Sequence, residues 1–249
     1  MTNSCELQAV VVSSDPALVK SILPCLENLG IVPSVYTEPA SALETLTRQK
    51  IDAFFVDRDL DPELSVVKCM RSSPSSRAAV AFAIVPGQTS AGEASRVADF
   101  VVDKPLAPDT MNRSLRAAYG IMLKERKRYF RHALRVPVDL TDSSYRRFTC
   151  ETINISQAGM AIACSGPVAT RDIVQLDFHL PGIGDKIEAK AQIIWTAQSD
   201  KAGLTFTHMS SSDRQRLMKW LEEEFHQAWS MVPPTPAAAR LNRVPQYQH

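Results

Sequence analysis

Apolar positions along this chain follow two rhythms, and the change falls about halfway. In the first half, short apolar runs alternate with stretches of helical spacing. Ala9 to Val12 is a short β-branched run, and Asp15 and Pro16 behind it suit a helix start. Leu18, Ile22, Leu23 and Leu26 then recur at helical spacing, with Gly30 placed to end that helix. Val32 to Tyr36 reads as a strand and Pro39 to Thr47 as a helix. Ile51 to Val56 is apolar on both faces, as a strand inside a parallel sheet must be. A helix over Pro62 to Arg71, a strand over Ala78 to Val85, a short helix near Ser90 to Val97 and a strand over Phe100 to Val102 complete the series. Five such repeats predict a doubly wound, flavodoxin-like α/β domain over residues 1–122.

From Pro108 the next helix meets no obvious stop. Leu115, Tyr119, Met122 and Leu123 carry its apolar stripe onward, so a continuous helical connector is predicted, breakable only at Gly120. Beyond it the period falls to two. Arg135 to Leu140, Phe148 to Ile155, Met160 to Cys164, Ile173 to Leu180, Ile187 to Trp195 and Gly203 to Phe206 are strand-like, with turn pairs such as Pro181-Gly182 between them. Short strands without intervening helices predict a small antiparallel β-barrel. Ser212 to Trp229 closes it as a C-terminal helix with Leu217, Trp220, Leu221 and Phe225 on one face. The predicted barrel domain is 123–229, including the connector. The Pro-rich stretch over 230–249 lacks periodicity and is predicted to be a disordered tail.

Composition and charge narrow the class. Of 249 residues, 45% are apolar and 22% charged, the balance of a globular protein, and no apolar run is long enough to span a bilayer. Residues 1–120 hold 11 Lys/Arg against 14 Asp/Glu, and residues 121–249 hold 17 against 13. Charges of −3 and +4 do not suggest DNA binding. The local density does matter: six basic residues and one acid, Glu125, lie between Lys124 and Arg135. The five cysteines are odd in number, scattered and without a CxxC pair, which argues against a disulfide framework or a zinc site and fits a reducing cytoplasm. Cys69 and Cys164 read as small core residues. The histidines show no metal spacing and no nucleophile–base pair stands out, so neither metal, cofactor nor enzymatic activity is expected.

Arg131-His132-Ala133-Leu134-Arg135 runs directly into Val136-Pro137-Val138, and Asn154-Ile155-Ser156-Gln157-Ala158-Gly159 follows about twenty residues later. With Met160-Ala161-Ile162, the strand ending in Trp195 and Gly203-Leu204-Thr205-Phe206, this stretch resembles the PilZ family in its RxxxR and [D/N]xSxxG motifs. The resemblance implies a receptor for cyclic di-GMP, with Arg131, Arg135, Asn154, Ser156 and Gly159 as ligand contacts. The chemistry suits them. Arginine forms bidentate contacts to phosphate or to guanine O6/N7, and its flat guanidinium stacks on a base. Asn154 and Ser156, two apart, share a strand face. Gly159 permits a tight turn and a close backbone approach. Lys127 and Arg128 are candidate additional phosphate contacts. Phe130 departs from the pattern, since many relatives carry another basic residue there.

The first half resembles a response-regulator receiver. Asp57 ends the third strand where receivers carry their phosphoacceptor, and Lys104-Pro105 follows the fifth strand. Ser13 and Ser14 replace the acidic pair that would hold Mg²⁺, and Ile84-Val85-Pro86 stands where a hydroxyl-bearing residue is expected. The expectation is a degenerate receiver in which Asp57 and Lys104 form a structural ion pair. It would serve partner docking or self-association, with no membrane insertion. Cyclic di-GMP would act by rearranging the domains. The alternatives are a phosphorylation-dependent regulator using Asp57 and a nucleotide-independent scaffold.

Overall fold

The computed structural model describes residues 6–87, 91–197 and 200–230. It divides into two compact units, one ending at Arg126 and the next opening at Lys127.

The first unit is a five-stranded parallel sheet of β1 (Gln8–Val12), β2 (Val32–Tyr36), β3 (Ala53–Asp57), β4 (Val80–Val85) and β5 (Phe100–Asp103). Its order, β2-β1-β3-β4-β5, is the flavodoxin-like winding predicted from the alternation of runs. Helices α1 (Pro16–Glu27), α2 (Pro39–Arg48), α3 (Ser65–Ser72), α4 (Ala91–Ala94) and α5 (Pro108–Tyr129) connect or follow the strands. Alternate residues divide between the two sheet faces. Val10, Val12, Phe54, Val56, Ala81, Ala83 and Val85 pack with Val66, Val67 and Met70 of α3. On the other face Phe82 stacks between Phe55 and Phe100, with ring centroids 4.4 and 4.9 Å away.

Several expected boundaries move for local reasons. The Asp61 carboxylate accepts hydrogen bonds from the Ser65 and Val66 amides, so α3 starts at Ser65 rather than Pro62. Helix α4 is a single turn, and Ser90 lies outside the described residues. Gly120 does not break α5, whose 22 residues are continuous. Within this unit Arg126 of α5 pairs with the fully buried Asp52, which also accepts the Gln8 amide. Cys69, expected inside, is exposed on α3.

In the second unit, β6 (His132–Ala133), β7 (Pro137–Thr141), β8 (Arg147–Ser156), β9 (Gly159–Ala163), β10 (Ile173–Phe178), β11 (Ile187–Ala197) and β12 (Lys201–Met209) are antiparallel. The order β8-β7-β10-β11-β12-β9 closes through a β8–β9 pairing into a six-stranded barrel, with the short β6 added along β8. The barrel interior holds Val138, Leu140, Ile155, Ile162, Leu176, Phe178, Ile193 and Leu204. Helix α6 (Ser211–Ser230) contributes Leu217, Trp220, Leu221 and Phe225 to the same core, and the Trp220 indole donates to the Pro181 carbonyl. Burying this face accounts for the helical periodicity read from the sequence. The predicted tail beyond Ser230 lies outside the described residues.

One expectation about the cysteines is overturned. Cys150 and Cys164, at facing positions on the β8–β9 hairpin, form a disulfide with Cα atoms 4.5 Å apart. Spacing along the chain could not reveal a pair that only strand register brings together.

Candidate functional site

Two β-bulges decide which residues the barrel shows on its outer wall. Along β8, Cys150 and Thr152 are buried, and alternation would place residue 154 on that side as well. A register shift between Thr152 and Asn154 inserts one residue, after which Ile155 is the core residue. Asn154 and Ser156 are thereby turned to the outer face. Strand β11 does the same. Ala189, Ala191 and Ile193 point inward, a shift between Ile193 and Trp195 follows, and Trp195 emerges outside, 42% exposed.

The outer residues fall into one row across the sheet. Ala133 pairs with Asn154, Asn154 with Ala161, Ala161 with Gly203, and Gly203 with Trp195. The middle of the row is nearly flat, since Ala161 and Gly203 carry almost no side chain. A Cβ on Gly203 would lie 2.0 Å from Trp195 Nε1, so the indole lies across that glycine. Trp195 was legible only as the end of a strand. The strict alternation before it places it in the core, and the bulge reverses that.

Besides the β6–β8 pairing, a side-chain contact joins the two motifs. Arg131 Nη1 donates to Ser156 Oγ at 3.1 Å, and Ser156 Oγ donates to the Gly159 carbonyl at 3.0 Å. Ser156 is buried while Arg131 is exposed. Arg135 is 80% exposed and pairs with Glu151 on the same outer face at 2.9 Å. Asn154 is half-buried beside Ala133. Gly159 is needed for a reason other than turn geometry. Its backbone is not left-handed, but an added Cβ would lie 1.9 Å from the Leu204 carbonyl oxygen where β9 and β12 approach.

The arm carrying the arginines is held from behind. Thr152 Oγ1 donates to the Leu134 carbonyl at 2.7 Å and accepts from the Val136 amide at 3.0 Å. Phe130, where many relatives carry a base, packs edge-on against Phe225 with centroids 5.2 Å apart. His132 lies edge-on to Trp220 and 3.5 Å from Glu224. Lys127 is engaged away from the outer row: its ammonium donates to Glu222 at 2.7 Å and sits over the Phe225 ring. That bond holds the Glu222 carboxyl below its usual range. Arg128 is exposed on the last turn of α5.

In the first unit Asp57 is buried and fully engaged. Ser13 Oγ donates to one carboxylate oxygen at 2.8 Å, and Lys104 Nζ lies 2.7 Å from the other. Lys104 also reaches Asp59, at 2.6 Å. Burial alone would lower the Lys104 pKa, but hydrogen bonds to these two aspartates outweigh it and raise it. Lys104 thus neutralises, and Ser13 hydrogen-bonds, a carboxylate that a metal-dependent phosphoacceptor would present to Mg²⁺. Among the described residues no cluster of three His, Cys, Asp or Glu is placed to hold a metal, and no helix is long and apolar enough to cross a membrane.

Fold and outer row define a receiver-like α/β unit followed by a small antiparallel barrel with a polar site on its wall. Residues 125–223 match the family model of the PilZ domain. The chain therefore carries a PilZ domain preceded by a receiver-like domain, which supports the role of a cyclic di-GMP-binding effector in signal transduction. No curated protein matches the chain. Solved structures similar to parts of it include a CheY-like receiver domain from Methylobacillus flagellatus, 26% identical over 45% of this chain and 98% of that one, with a TM-score of 0.41. A sensor histidine kinase receiver domain from Pseudomonas aeruginosa is 21% identical over 46% and 98%, also with a TM-score of 0.41. The PilZ domain of CeSA from a cellulose-synthesizing bacterium is 19% identical over 37% and 97%, with a TM-score of 0.32.

Proposed function

We propose that the chain is a cytoplasmic effector that binds cyclic di-GMP on the outer wall of its barrel and passes the binding on through the connector. The observation that carries this reading is the Arg131–Ser156 hydrogen bond, which joins the RxxxR arm to the NxSxxG hairpin. In it Arg131 and Arg135 take the phosphates or the guanine Hoogsteen edge, and Asn154 and Ser156 meet a guanine edge. The small Ala161 leaves room for a base, and the Trp195 indole, lying across Gly203, offers it an aromatic face. Arg128 is a secondary phosphate contact. Lys127, held by Glu222, serves to fix the arm instead.

Binding would exchange the Arg131–Ser156 and Arg135–Glu151 contacts for contacts to ligand. Because the arm is continuous in sequence with α5, this would shift the arrangement of the two domains. The receiver-like domain would then dock a protein partner or a second copy, with no role for DNA. The phosphorylation alternative draws no support from an Asp57 already bound by Ser13 and Lys104. Calorimetric titration of the full chain with cyclic di-GMP tests the reading. Saturable heat at micromolar ligand is expected. Absence of heat at high micromolar ligand from folded protein would overturn it.

A further inference from the structure

Cys150 and Cys164 bear on the site in a way that the nucleotide reading leaves unused. Cys150 lies on β8 and Cys164 directly follows β9, each 4% exposed. The next rung up is the Glu151↔Ala163 pair, so the disulfide closes the base of the β8–β9 hairpin. The closed segment contains Asn154, Ser156 and Gly159, together with the bulge that turns the first two outward. The Cys164 amide donates to the Asp200 carbonyl at 2.7 Å, tying the same end to the β11–β12 side of the barrel. The other thiols with described positions have no such placement: Cys25 is buried within α1 and Cys69 is exposed on α3.

We propose that Cys150 and Cys164 are a thiol–disulfide modification site that locks the motif hairpin, so that oxidation strengthens ligand binding; this rests on the nucleotide reading above. In a reducing compartment most such pairs stay as thiols, and a pair preset for bonding responds when low-molecular-weight disulfide accumulates. The step balances by exchange. One cysteine thiolate attacks glutathione disulfide and releases one glutathione. The second thiol then attacks the mixed disulfide and releases another. The protein dithiol is oxidised, one glutathione disulfide is reduced to two glutathiones, and the two thiol protons pass to the departing thiolates. The cross-link removes conformations in which the hairpin base splays and the bulge slips, so less ordering remains to be done when ligand arrives.

The test uses the full chain carrying Cys69→Ser, equilibrated with glutathione disulfide or with dithiothreitol. Peptide mapping should find the 150–164 linkage in the oxidised sample alone. Amide exchange over 151–163 should slow on oxidation without nucleotide, and cyclic di-GMP should bind roughly three- to tenfold more tightly, the scale of a preorganisation effect. Cys150→Ala and Cys164→Ala, made separately, should abolish both responses. Failure of folded protein to form the linkage overturns the proposal, as does linkage with unchanged exchange or unchanged affinity. Slowed exchange with no nucleotide heat in either state keeps the lock and sinks the nucleotide reading instead.

Discussion

Arg131 and Arg135 differ in what they must give up to meet a ligand. Arg135 is paired with Glu151 in an exposed bridge, an interaction worth about 0–1 kcal/mol. Glu151→Gln should therefore tighten cyclic di-GMP by up to about fivefold at low salt, the whole worth of such a bridge, with the gain fading as salt rises. Arg131→Ala removes a charged hydrogen-bonding group worth about 1.5–3 kcal/mol, so calorimetry should show affinity falling roughly ten- to hundredfold. Undiminished binding by that variant would place the ligand elsewhere. Gly159→Ala acts on the fold. With Leu204 O only 1.9 Å from the new Cβ, β9 and β12 must separate, and overpacking of this kind costs about 1–3 kcal/mol. Its thermal midpoint should fall by several degrees, at about 4–8 °C per kcal/mol for a domain of this size.

At the level of elements, strand register presents the site and two contacts hold it in place. Thr152 Oγ1 pins the Leu134–Val136 segment to β8. Thr152→Val leaves a partly buried carbonyl and amide without that partner, at about 0.5–1.5 kcal/mol. Denaturant midpoints should fall, and ligand affinity should fall with them because Arg135 lies on this segment and Arg131 shortly precedes it. Unchanged affinity in the folded variant would mean the arm orders on binding whatever its rest position. The start of α6 is fixed by a reciprocal cap: Ser210 Oγ accepts the Asp213 amide and donates to the Asp213 carboxylate, which Arg216 also contacts. Burial pushes the Asp213 pKa up, but the hydrogen bonds from Ser210 and Arg216 outweigh it and hold it low. A depressed carboxyl contributes stability above its unfolded value of about 3.9 and loses it as pH falls through the folded value. The stability gap between wild type and Asp213→Asn should thus be full at neutral pH and shrink below about pH 4.

Across the whole molecule, each unit buries its own apolar core, and the chemistry of each can be tested separately. Acetyl phosphate with Mg²⁺ should add no phosphate mass at Asp57, since Ser13 and Lys104 occupy both carboxylate oxygens. Phosphate on Asp57, lost in Asp57→Asn, would revive the phospho-switch.

Sequence alone determined the features that depend on local periodicity. Alternating runs gave the parallel sheet, short strands with turns gave the barrel, and the apolar face of Ser212 to Trp229 gave α6, because burial on one face imposes a period of two or 3.6 residues. The resemblance that the two motifs carry also put Arg131 and Ser156 in the same candidate site. Tertiary structure decided what depends on register. The bulges after Thr152 and Ile193 choose the outer wall for Asn154, Ser156 and Trp195, and a one-residue slip reverses every side chain beyond it. Cys150 faces Cys164, Lys127 is drawn to Glu222, and Gly159 is demanded by the Leu204 carbonyl. Each joins positions separated in sequence, so no local pattern records it.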